Sequence, residues 1–128
     1  MRHSRLWTWH IFAGLVILVL LGLHMVIMHL DEVLPLAGLN PEGGEGIDWG
    51  NVVARGRMAF FMVTYILLLG AALFHGLYGL NTIIGELNVG QGFKRFCGVA
   101  LTLLGAALFL FGAWAAVAAR GAAMTAGM

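Results

Sequence analysis

Of the chain's 128 residues 61% are hydrophobic and only 10% charged, with a mean hydropathy of +0.93 and a formal net charge of +1. A soluble domain carries roughly 25% charged residues, so the composition specifies a membrane protein, and the near-neutral balance argues for neither nucleic acid nor an acidic partner. A single cysteine, Cys97, excludes an internal disulfide and is too little for a zinc or iron–sulfur site.

In chain order, a short basic head (Arg2, His3, Arg5) precedes a first apolar segment, residues 6–30. At about 1.5 Å per residue this segment is long enough for a hydrocarbon core of roughly 30 Å, and Trp7 and Trp9 sit at its start, where an aromatic belt belongs. It is too long for the apolar part of a signal peptide and lacks an early small-residue cleavage site, so it is expected to stay in the mature chain. Residues 31–56 hold both prolines, the run GLNPEGGEGIDWGN and all but one of the acidic residues. They read as an extramembrane loop with one short turn packed by Trp49. A second span covers residues 57–86, the short connection LNVGQGFKRF forces an antiparallel neighbour, and a third span covers 96–119 with Gly98, Gly105 and Gly112 along it. The tail RGAAMTAGM is expected to fray. The fold class is therefore all-α: one transmembrane domain of three helices in an up-down-up bundle. With the head in the cytoplasm, Arg2, Arg5, Lys94 and Arg95 lie inside and Arg55, Arg57 and Arg120 outside, which favours a cytoplasmic N-terminus.

The second span, YILLLGAALFHGLYGLNTIIGEL from Tyr65, carries one ionisable group in its middle, His75. Such a group is costly at bilayer depth without a partner. Gly70, Gly76 and Gly79 surround it. Gly79 lies one turn away on the same face, so that a bulky flat group such as a haem could lie against the backbone there. The first span holds His10, His24 and His29. His10 and His24 are fourteen residues apart, close to four full turns, and share a face with Gly14; His29 is rotated by roughly 140° from His24 and reads as interfacial. Two deep histidines on adjacent helices, His24 and His75, each near glycine and in a chain with almost no other polar core, favour ligation over interhelical hydrogen bonding. With the head inside, His24 lies roughly 27 Å and His75 roughly 16 Å from the cytoplasmic ends of their helices, an offset of about 10 Å. A single bis-histidine haem needs both ligands at one level. The spacing thus favours two haems, each completed by a ligand from a partner subunit. For His10, contact with a propionate or quinone and a plain interfacial position are both open.

The pattern HGLYGLNTIIGEL, a histidine with glycine four residues on and an acid near the helix end, resembles the haem-ligating helix of the membrane-anchor cytochrome b subunits of succinate:quinone oxidoreductases and quinol:fumarate reductases. The first span, with its tryptophans, Gly14 and the LGLHMVIM stretch, is similar to one in the di-haem members. The resemblance covers both histidine-bearing helices, about half the chain. It implies that His75 ligates a haem b nearer the cytoplasm and His24 one nearer the outer face, with opposing histidines from a companion membrane-anchor subunit. Arg55 and Arg57, at the outer start of the second span, are placed to meet haem propionates or to anchor at the interface. The sequence departs from the family where Glu86 is followed by Leu87 instead of a quinone-site tyrosine, and where Leu73 replaces a glutamate implicated in transmembrane proton movement.

What the resemblance implies is electron conduction in a bacterial or archaeal cytoplasmic membrane. A separate flavoprotein subunit reacts with succinate or fumarate, an iron–sulfur subunit passes electrons on, and this chain conducts them to or from quinone through haem. No nucleophile constellation or basic pocket for a dicarboxylate is present, so this chain does not itself catalyse that step. The alternatives are a cytochrome b subunit of another respiratory complex, such as a nitrate reductase, formate dehydrogenase or hydrogenase, and a haem-free structural membrane subunit.

Overall fold

A computed structural model describes residues 2–29, 45 and 47–126, with side chains from residue 5 onward. Most of the expected extramembrane loop, including both prolines, lies outside the described residues. The described residues form four helices and no strand: α1 (Arg2–His29), α2 (Trp49–Arg57), α3 (Ala59–Glu86) and α4 (Gln91–Thr125). Helices α1, α3 and α4 are long and apolar enough to cross a membrane, and they make the chain a multi-pass membrane protein. α3 is the central helix, packing on α1 along one side and on α4 along the other, while α2 covers the C-terminal end of α4.

The transmembrane helices have almost no interior of their own. Ala13, Ile27, Phe61 and Ala123 are the buried hydrophobic residues among those described, whereas Leu18, Val19, Leu67, Leu103, Leu110 and Phe111 are widely exposed. In hydrocarbon such exposure carries no penalty, and helices associate through close van der Waals packing. Glycine supplies that closeness between α3 and α4. A Cβ on Gly98 would lie 3.3 Å from Asn81 Oδ1, one on Gly105 2.7 Å from Leu77 Cδ1, and one on Gly112 would run into Leu69. From the other side, Gly70 receives the Phe109 ring, whose Cε2 would be 3.1 Å from an added Cβ. The three α4 glycines recur every seven residues, two turns apart, and so form one continuous stripe for α3.

The structure corrects three details of the sequence reading. The Ala-rich tail does not fray: α4 is helical through Thr125, held by its high propensity and by α2, with Gly56 close enough to Ala123 that an added Cβ would sit at 3.0 Å. The connection before α4 is shorter than expected, since α4 begins at Gln91, and Lys94 and Arg95 fall in its first turns. The loop's expected turn is a nine-residue helix, and Trp49 does not pack it, being 78% exposed. The inward face belongs to Asn51 and Arg55, four residues apart and 0% and 3% exposed.

Filling the stripe should separate the helices. Gly105→Val is expected to destabilise the bundle by about 1–3 kcal/mol through overpacking against Leu77, seen as a lower thermal midpoint of the detergent-solubilised protein. Gly121→Ala, on the same helix where an added Cβ meets nothing within 4 Å, is expected to be neutral or slightly stabilising.

Candidate functional site

α1 and α3 run antiparallel and bring His10 and His75 together. The rings stack face to face, with centroids 4.1 Å apart and planes 9° from parallel. Each ring also reaches the other residue's main chain: His75 Nδ1 lies 3.0 Å from the carbonyl oxygen of His10, and His10 Nε2 lies 3.1 Å from the carbonyl oxygen of His75. A carbonyl only accepts, so each of these nitrogens carries the hydrogen, and in the neutral ring the other nitrogen holds a lone pair. In its neutral form His75 is thus the Nδ1–H tautomer, with its lone pair on Nε2, and neutral His10 is the Nε2–H tautomer.

Glycine makes the contact possible on both helices. In an α-helix a carbonyl accepts from the N–H four residues on, and its second lone pair is reachable from the side only if that later residue is small. Gly14 stands four residues after His10, and a Cβ there would lie 3.1 Å from His75 Cε1. Gly79 stands four residues after His75, and a Cβ there would lie 3.3 Å from His10 Nε2. The flat group lying on Gly79 within this chain is therefore the His10 imidazole. Tyr78 closes the cluster, its ring centroid 5.2 Å from that of His10.

His24 sits elsewhere. It faces Tyr65 edge-on at 6.1 Å, in a tight setting with Leu20, Ile27, Phe61, Thr64 and Leu68. Tyr65 is ten residues before His75 on α3 and His24 is fourteen after His10 on α1, which puts the two histidine sites about 15–21 Å apart along the helix axes, further than the 10 Å read from span ends. Neither ring nitrogen of His24 has a hydrogen-bond partner among the described residues. Beyond Tyr65 a cavity of about 460 Å³ opens between α2 and α4, lined by Met28, Val52, Arg55, Tyr65 and Ala119 among others. Arg55 is buried at its wall, whereas Arg57 donates from Nε to the Ala123 carbonyl at 3.0 Å, and Arg120 donates from Nε to the Arg57 carbonyl at 3.3 Å.

The chain is similar to a respiratory membrane anchor. It is 23% identical over 100 residues to the succinate dehydrogenase hydrophobic membrane anchor subunit of Thermoplasma acidophilum, covering 78% of this chain and 73% of that protein. No protein-family model matches the chain, and no solved structure does.

Not every histidine pair here suits the haem that the sequence resemblance implies. His10 and His75 cannot be opposed axial ligands of one iron, because their rings are parallel and in contact instead of aiming nitrogens at a common point between them. His24 and His75 cannot share one either, being about 15–21 Å apart along the helix axes. Each suits one ligand place on an iron: His75 would offer the Nε2 lone pair left by its Nδ1–H bond to a carbonyl, which holds the ring in one orientation, and His24 an imidazole with no hydrogen bond from the described residues. His10 is the member of this site that sequence spacing left undecided. The signal for it was the glycine four residues after each histidine.

Arg57 ties the end of α2 to the last turn of α4. Arg57→Ala is expected to release that turn, with backbone amide exchange of residues 119–125 accelerating several-fold in a hydrogen-exchange experiment while residues 98–110 keep their protection.

Proposed function

We propose that this chain is a membrane-anchor subunit of a succinate:quinone oxidoreductase, working as succinate dehydrogenase or fumarate reductase, and that it holds two b haems jointly with a companion anchor. The proposal rests on one observation above the rest. His24 and His75 lie at two levels of adjacent transmembrane helices, each with a ring nitrogen available for coordination, in a chain similar along most of its length to an anchor of that name. An imidazole without a partner is disfavoured at bilayer depth, and an iron bond supplies one.

In this reading His75 contributes Nε2 on the side of the bundle where the α1 and α3 chain ends meet, and His24 contributes to a second site nearer α2. The companion anchor provides the opposing ligand at each. Haem held by these histidines would supply one-electron transfer. The protein's own part is to fix the two imidazoles and to present exposed apolar faces on all three helices to lipid and to the companion. Arg55, Tyr65 and Met28 line the cavity beside His24, where a guanidinium is placed for a propionate. The flavoprotein and iron–sulfur subunits carry the dicarboxylate chemistry, and quinone exchanges electrons with the membrane part. A cytoplasmic N-terminus in a bacterial or archaeal membrane belongs to the same proposal.

The complex purified through this chain should contain flavin and show b-haem bands in the dithionite-reduced minus oxidised spectrum, at two haems per flavin. His24→Ala and His75→Ala are each expected to remove one haem, and a different one. A single haem lost in both variants would refute the two-site arrangement, and a complex with neither flavin nor haem would refute the assignment altogether.

A further inference from the structure

The reciprocal contact between His10 and His75 is more than ordinary helix packing requires. Two antiparallel helices each carry a histidine followed four residues later by glycine, His10 with Gly14 and His75 with Gly79. Each imidazole lies over the other helix's glycine and donates to the carbonyl that the glycine leaves open. The arrangement is nearly two-fold symmetric in the backbone and asymmetric in the protons. One ring donates from Nδ1 and the other from Nε2.

We infer that His10 is a positioning residue for His75: the clasp fixes His75 as the Nδ1–H tautomer and its ring in one orientation, so that Nε2 is the one lone pair it offers, while His10 itself does not ligate. The inference rests on the haem reading above and adds a residue to it. Three features of the geometry carry it. The Nδ1–H of His75 is engaged by a helix carbonyl, an acceptor that cannot rotate away or change its protonation. The ring face of His75 is covered by a parallel imidazole, which leaves the edge bearing Nε2 as the part not held. The His10 side chain in turn anchors to the His75 carbonyl, so the ring that covers His75 is fixed by His75's own backbone. An unclasped imidazole on this helix would be free to flip and to exchange tautomers, and its ligating nitrogen would be undefined.

Two measurements test this. The first needs no haem: ¹⁵N spectra of the full chain, labelled in its histidine rings and held in lipid nanodiscs. One Nδ1–H ring that vanishes in His75→Gln and one Nε2–H ring that vanishes in His10→Gln are expected. Both rings in the same tautomer, or both doubly protonated, would overturn the inference. The second uses the whole complex. His10→Leu removes the donor, and Gly14→Leu drives a side chain into the space of the His75 ring. Both are expected to shift the midpoint potential and lower the occupancy of the haem assigned to His75, leaving the His24 haem as an internal control of folding. His10→Gln, whose amide N–H can still reach the carbonyl, is expected to restore the wild-type midpoint. A His75 haem with unchanged spectrum and potential in both leucine variants would overturn the positioning role with the haem reading intact. Opposite tautomers in a flavin-containing complex that has no haem would instead overturn the haem reading, and the ligand-positioning role with it.

Discussion

Close approach at glycine is the condition on which this bundle depends. Lipid tails are as apolar as leucine, so no hydrophobic force gathers the helices, and what remains is dispersion contact and the few hydrogen bonds that cross between them. Both need short distances. On the α4 side of α3 the distance is set by the Gly98, Gly105 and Gly112 stripe, and it is used for side-chain packing against Leu69, Leu77 and Asn81. On the α1 side it is set by Gly14 and Gly79, and it is used to admit two imidazoles to backbone carbonyls. The same device therefore gives an apolar seam on one flank of the central helix and a polar one on the other.

The cations follow a second rule that the helices impose. Lys94 donates to the Gly85 carbonyl near the end of α3, Arg57 to the Ala123 carbonyl near the end of α4, and Arg120 to the Arg57 carbonyl at the end of α2. Each is a helix C-terminus, where the last carbonyls lack intrahelical partners and the dipole is negative. Each cation comes from an element other than the one whose end it caps, so the contacts join helices while they cap them. Basic residues at the interfaces of this protein thus have a structural task beyond setting orientation, and Arg57 in particular is already engaged through Nε by its own chain.

Much of this was legible in the sequence, because the signals involved are one-dimensional. Long apolar runs gave three spans, and histidines within them stood out against a background with few polar groups. Helix ends were less legible: the last turns of α4 depend on α2 packing against Ala123, and α2 on the inward pair Asn51 and Arg55, neither of which an apolar-run criterion weighs. The partner of His75 was least legible. It depends on the register between α1 and α3, which sequence spacing along a single helix cannot supply. His10 and His24 share a face, and span lengths alone place His24 deeper, yet the register lays His10 against His75 and His24 against Tyr65. The glycines four residues after His10 and after His75 mark the level at which the helices touch, but only when the two are read as a pair.

The two histidine environments differ in kind, and the difference bears on how one small subunit could hold two redox centres with distinct properties. His75 has one nitrogen engaged by a carbonyl and its face covered by a second imidazole, so its orientation is set within the chain. His24 has an aromatic edge beside it, aliphatic walls, and no hydrogen bond from the described residues. An imidazole whose Nδ1–H is hydrogen-bonded is the more electron-rich ligand, and stronger donation favours the oxidised state of a bound metal. Other things being equal, a centre ligated by His75 would therefore sit at lower potential than one ligated by His24. Ligands and charges from outside this chain would act on top of that bias. The bias from this chain would thus follow from which helix carbonyl a glycine uncovers.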